Sequence, residues 1–121
     1  MIGEKRLIAL RGATRCENEA ADITRQVAAL YDELLVRNKL NEGDMVSLIF
    51  SVTSDLDAKN PASALRHSGR AQDLALFAAQ EAYAVGGLDR TIRVLIHCYL
   101  DGDTRPCHVY RNGAEILRPD R

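Results

Sequence analysis

Between Ala20 and about Asn38 apolar residues return at helical spacing, and this long amphipathic stretch, set between β-rich runs, most constrains the fold. Ile23, Val27, Leu30, Leu34 and Leu35 mark the apolar stripe, with Asp22, Arg25, Asp32 and Arg37 between them. A helix with one apolar stripe needs a second layer to cover it. On its N-terminal side, Lys5 to Leu10 is a short apolar run ending in Arg11-Gly12-Ala13-Thr14, which reads as a strand entering a turn. Thr14 and Glu17 have the spacing of a capping box, predicting that the helix begins close by. On its C-terminal side, Asn41-Glu42-Gly43-Asp44 has turn chemistry and Met45 to Val52 reads as a buried strand.

Further on, Asn60-Pro61 reads as an N-cap followed by proline at the first helical position, opening a short helix to about His67 that Gly69 stops. Leu74 to Ala79 has no decisive period, but its length favours a strand. After Gly86-Gly87, Arg90 to Leu100 is the clearest strand, carrying Ile92, Val94, Leu95 and Ile96. Asp101-Gly102-Asp103 is expected to turn it into a hairpin with a strand at Cys107 to Tyr110. Asn112-Gly113 and Ile116-Leu117 then lead to the C-terminus. The order strand, long helix, strand, short helix, strands predicts an α+β fold: a mixed sheet with one long and one short helix packed on one face. With 121 residues the chain suits one domain, residues 1–121. A single sheet of this size leaves apolar surface that oligomerisation would bury.

Composition narrows the function classes. A formal net charge of -1 argues against a general binder of nucleic acid or anionic membrane, which needs a surplus of Lys and Arg. No apolar run reaches the roughly 18–20 residues that span a bilayer, so a cytoplasmic protein is expected. Three cysteines, Cys16, Cys98 and Cys107, are too few for a disulfide framework and are read as thiols. Gly86-Gly87 lacks the spacing of a phosphate-binding loop, so no nucleotide cofactor is expected. His97, Cys98, Cys107 and His108 have the residue types of a metal site, but neighbours on a strand point to opposite faces, so no metal is expected. A Cys-His nucleophile pair lacks a third orienting group.

The distinctive feature is arginine at the edge of, or inside, apolar strands: Arg11 closes one run and Arg93 interrupts another, in Thr91-Ile92-Arg93-Val94-Leu95. Any one of them could sit on a solvated face. Together, guanidinium groups on rigid strands suit the paired hydrogen bonds that hold carboxylates.

At this level the chain resembles the AroH-class chorismate mutases. The likeness rests on Arg11-Gly12-Ala13-Thr14, Pro61-Ala62, Arg66, Gln80-Glu81, Gly86-Gly87-Leu88, Ile92-Arg93-Val94, His108-Val109-Tyr110 and Leu117-Arg118-Pro119-Asp120, in order along nearly the whole chain. The resemblance implies a homotrimer of pseudo α/β-barrel form, with active sites in clefts between subunits. It implies Arg11, Glu81, Arg93 and Tyr110 from one subunit and Arg66 from the next, with Leu117 and Arg118 in a C-terminal segment near the cleft. Chorismate would be rearranged to prephenate without a cofactor, in the biosynthesis of Phe and Tyr. Arg93 would face the ether oxygen, Arg11 and Tyr110 would anchor a carboxylate, and Glu81 would accept a bond from the ring hydroxyl.

The chain departs from the family at the mouth of the cleft. Asn60 stands where phenylalanine is usual, Ala78 where cysteine or serine is usual, and Ser63, next to Ala62, where some relatives carry lysine. These changes predict weaker binding with the chemistry intact. Two alternatives remain at this stage: a Rid-like enamine or imine deaminase, whose arginine motifs do not match here, and a non-catalytic trimer that binds a cyclic dicarboxylate.

Overall fold

A computed structural model describes residues 4–118, so Pro119 and Asp120 of the C-terminal motif lie outside the described residues. Five strands form one mixed sheet: β1 (Lys5–Arg15), β2 (Met45–Val52), β3 (Ala75–Gln80), β4 (Thr91–Asp101) and β5 (Val109–Arg111), in the order β3-β2-β4-β1-β5. Two helices, α1 (Ala20–Asn38) and α2 (Pro61–His67), complete the α+β architecture. β4 lies in the centre, antiparallel to both β1 and β2, while β2–β3 and β1–β5 are parallel pairs. The parallel β2–β3 pair follows from α2, which carries the chain back across the sheet before β3 begins.

The core lies between one sheet face and α1. Ile8 and Leu10 from β1, Leu48 and Phe50 from β2, and Ile92, Val94 and Ile96 from β4 meet Ile23, Val27, Leu30 and Leu34 of the helix. Burying each such side chain stabilises the fold by roughly 1.5–3 kcal/mol before entropy is counted. Gly12 is where the layers come closest. A Cβ there would stand 2.9 Å from Leu34 Cδ1 and 3.1 Å from both Leu30 Cδ1 and Val94 Cγ1. The glycine of the Arg-Gly-Ala-Thr segment is therefore a matter of space beneath α1.

Three local expectations are corrected. β5 does not form a hairpin with β4: it pairs with β1, Gly12 opposite Val109, Ala13 opposite Tyr110 and Thr14 opposite Arg111. Both edges of β4 are already taken, by β1 and β2, and the Asn38 side chain holds the N–H and carbonyl of Cys107 at 2.8 Å each, carrying the chain past α1 to the free edge of β1. Cys107 and His108 precede the strand rather than belonging to it. Nor does Thr14 cap α1, because β1 continues through it to Arg15 and its side chain is buried. The N-cap position is Glu19, without a side-chain cap, and Asp22 in the first turn instead accepts the Glu17 N–H at 2.7 Å. The segment at Ile116-Leu117 is a 3-10 turn, Ala114–Leu117.

The short helix follows the sequence reading. Asn60 Oδ1 accepts the N–H groups of Ala62 and Ser63 at 2.8 and 3.3 Å, proline follows it, and Gly69 leaves the helix with φ +88°. Opposite the core, the second face of the sheet stays open, with Leu7, Ile49, Phe77 and Tyr99 exposed.

Candidate active site

Strand register brings the distant arginine motifs onto this open face. Arg93 stands between Ser51 of β2 and Ala13 of β1, and Ala13 lies opposite Tyr110 of β5. One pairing step along, Arg11 lies opposite Leu95, which faces Ile49. The small side chains of Ala13 and Ser51 leave a depression beside Arg93. The result is a cleft of about 240 Å³ whose lining includes Arg11, Arg93, Tyr110, Leu117, Ile49 and Leu95. It combines two guanidinium groups and a phenol with an apolar floor, which suits a compact anionic ligand.

Glu81 follows β3 directly, and its N–H donates to the Val52 carbonyl at 2.7 Å, continuing the β2–β3 ladder by one residue. That bond aims the carboxylate at Arg93, whose Nε lies 3.0 Å from Glu81 Oε1. Ser51 Oγ donates to the same oxygen at 3.1 Å. Arg93 also borders a second hollow of about 210 Å³, together with Glu81, Tyr83 and Leu88. By contrast, the side chains of Arg11 and Tyr110 make no hydrogen bond or ion pair among the described residues. An unpaired cation beside a paired one leaves a net positive site for a substrate anion.

Of the remaining expected residues only Leu117 reaches this cleft among the described residues. Arg66 does not line this cleft: its Nη1 and Nη2 donate to the carbonyls of Gln72 and Leu74 at 2.8 and 3.0 Å, tying α2 to the loop before β3. Asn60 and Ala78 share another hollow, of about 260 Å³, with Lys59 and Gln80. Ala62 packs against the core and Ser63 is exposed at the start of α2. Leu117 reaches the main cleft, and Arg118 follows it, exposed, its N–H on the Glu115 carbonyl.

Two contacts lay beyond the sequence reading. Ser51 was only part of an apolar strand, although a hydroxyl two positions after Ile49 on the same face was a usable signal. His108 was read as a candidate metal ligand, as half of a Cys-His pair and as part of the His108-Val109-Tyr110 motif, with no structural partner named, yet its Nδ1 accepts the backbone N–H of Arg11 at 3.0 Å. Burial first, and the Arg11 charge second, hold its pKa below the ordinary histidine value. Among the described residues no group of three His, Cys, Asp or Glu is placed to hold a metal. His97 bonds Ser47 on the open face while the adjacent Cys98 is buried. Burial raises the Cys98 pKa, and it also raises that of Cys16, helped by Asp22, to about 11. No helix among the described residues is long and apolar enough to cross a membrane.

Comparison with known proteins converges on one family. The profile of chorismate mutase type I matches residues 7–121. The chain is 32% identical over 113 residues to the chorismate mutase AroH of Bacillus subtilis (strain 168), covering 92% of this chain and 89% of that protein. It is 34% identical over 114 residues to chorismate mutase AroH of Thermus thermophilus, covering 92% and 93%. A solved chorismate mutase from Clostridium thermocellum superposes with a TM-score of 0.82 at 39% identity, covering 91% of this chain and 99% of that one. On these matches, with the mixed sheet and its arginine-lined cleft, the chain belongs to the type I chorismate mutase family.

Proposed function

We infer that this chain is a chorismate mutase, an isomerase that converts chorismate to prephenate in aromatic amino-acid biosynthesis, working in the cytoplasm. The observation that carries the reading is the juxtaposition of Arg93, Glu81, Arg11 and Tyr110 around one open sheet face. The matched family and relatives are chorismate mutases, which leaves the deaminase and non-catalytic readings without support.

The reaction is a one-step Claisen rearrangement. A carbon–oxygen bond breaks as a carbon–carbon bond forms, and no proton, nucleophile or cofactor is needed. Catalysis then consists of holding the folded conformer and stabilising the charge that builds on the ether oxygen. Arg93 suits the second task. Its Nε is engaged by Glu81, which fixes the plane of the guanidinium and leaves the Nη donors for the oxygen. Glu81 suits the first. With Arg93 and Ser51 both on Oε1, its Oε2 is left to accept the ring hydroxyl. Arg11 and Tyr110 would clasp a carboxylate over Ile49 and Leu95.

The cleft is open, and its completion is proposed to come from a neighbouring subunit in a homotrimer. Supporting this are the exposed Leu7, Ile49, Phe77 and Tyr99 on the same face and the absence of Arg66 from the cleft lining. On docking, Arg66 would contribute positive charge across the interface while keeping its carbonyl ties. The test is the loss of chorismate absorbance in the ultraviolet on adding purified protein, with prephenate identified as the product. No turnover would sink the assignment.

A further inference from the structure

His108 sits outside the residues assigned so far, yet it contacts the backbone of one of them. Pairing between β1 and β5 begins at Gly12 and Val109, so Arg11 lies one residue short of the ladder. Its N–H nevertheless has an acceptor, Nδ1 of His108 at 3.0 Å. The imidazole does here what a strand carbonyl would do, extending β1–β5 pairing by one position. Resting on the chorismate mutase reading, we propose that His108, as the neutral tautomer protonated on Nε2, is a positioning residue for Arg11, and that acidification releases the anchor and weakens dicarboxylate binding.

An acceptor Nδ1 cannot carry a proton, so the bond exists only for the neutral ring with its hydrogen on Nε2. Protonation places a second N–H against the Arg11 N–H, turning an attraction into a repulsion. The surroundings keep the ring neutral at ordinary pH. From β1 it meets the Arg11 cation, and among the described residues no carboxylate counters that charge. On its own segment the titratable neighbours are the Cys107 thiol, 3.9 Å from the His108 carbonyl, and Tyr110 in β5. From α1 the segment is held by the neutral amide of Asn38, through both polar backbone atoms of Cys107. The backbone before His108 is therefore pinned, and β1 is paired with β4 at Arg11 opposite Leu95, so protonation removes the acceptor of the Arg11 N–H at the end of the β1–β5 ladder. Tyr110, two residues beyond, belongs to the same strand pair, so both proposed carboxylate contacts depend on this junction.

The experiment compares the wild-type protein with His108→Asn and His108→Ala between about pH 5 and 8. The asparagine amide oxygen can stand where Nδ1 stands and cannot titrate. Wild-type KM is expected to rise about three- to tenfold on acidification below the histidine pKa, the effect of one lost hydrogen bond, with kcat little changed. The asparagine variant should keep a low KM throughout this range, whereas the alanine variant should show the raised KM even at pH 8. Nitrogen NMR of the wild-type imidazole should show the proton on Nε2 and an Arg11 amide signal that moves as the ring titrates. If the asparagine variant shares the wild-type acid limb, if KM falls on acidification, or if the proton lies on Nδ1, the proposal is wrong. Should the protein fail to turn over chorismate, the functional reading falls, while the NMR result still decides the role of His108. Should the alanine variant not fold, the asparagine variant and the NMR decide it alone.

Discussion

Glu81 Oε1 receives both Arg93, at 3.0 Å, and Ser51, at 3.1 Å, so the carboxylate that pairs with the central arginine also sets its orientation. The arginine side chain is 46% exposed, so the pair contributes little to stability by itself. Its proposed role is preorganisation of Arg93. Arg93→Ala is expected to lower kcat by about 10²–10³, the usual cost of removing a donor aimed at developing charge, with little change in melting temperature. Steady-state kinetics and thermal denaturation read the two effects separately. Turnover at saturating substrate should stay flat between about pH 6 and 9, because no proton is exchanged with substrate.

Gly12 tests how tightly α1 sits on the sheet. Gly12→Ala would push a methyl to within 2.9 Å of Leu34 Cδ1, and overpacking of this kind costs about 1–3 kcal/mol. Chemical denaturation should show that loss. A neutral or stabilising result would mean that Leu30 and Leu34 have room to move aside.

Asn60 serves its own helix, which alters the expectation drawn from its family position. Its Oδ1 caps two N–H groups of α2, so Asn60→Phe should destabilise the protein by about 1 kcal/mol, whatever it does for the substrate wall. The measurement is the denaturation midpoint of that variant beside its KM. A lower KM together with a lower midpoint would show an apolar wall regained at the expense of a cap. Ala78→Cys, which touches no cap, should lower KM without the stability loss.

Acid sensitivity of the fold should centre on Asp22. The Glu17 N–H bond first, then Gln26 and Arg25, hold this buried carboxylate below its usual pKa despite desolvation. A depressed carboxylate contributes stability that is present above its unfolded pKa of about 3.9 and lost as pH falls through the folded value. Asp22→Ala is thus expected to cost about 1–2 kcal/mol at pH 7 and progressively less towards pH 3. Urea titrations at several pH values would show the two curves converging; a constant gap would assign the loss to packing.

The open face predicts association. Phe77, 65% exposed on β3, belongs to the same cross-strand row as Ile49, Leu95 and Arg11. Light scattering after size exclusion should give the mass of a trimer for the wild-type protein. Phe77→Glu should yield smaller species and lose activity together, since one chain would supply only part of the cleft. A fully active monomer would refute the shared site.

Local patterns were legible in the chain because they depend on near neighbours alone. The stripe of Ile23, Val27, Leu30 and Leu34 specified α1, the Asn60-Pro61 pair specified the start of α2, and the apolar run of Ile92, Val94 and Ile96 specified β4. Arg11, Arg93, Glu81 and Tyr110 were legible as one site only through the family resemblance, and the contacts that join them were not, since those depend on strand register. Tertiary structure decided the rest. Three residues at β5 carry too little pattern to choose a partner, and their parallel place beside β1 follows from a central β4 with both edges filled. Thr14 has the chemistry of a cap, but pairing of β1 with β4 runs on to Arg15 opposite Thr91 and buries it in the sheet. The contacts of Ser51 with Glu81 and of His108 with Arg11 span 30 and 97 residues of sequence, a separation that only the folded sheet closes.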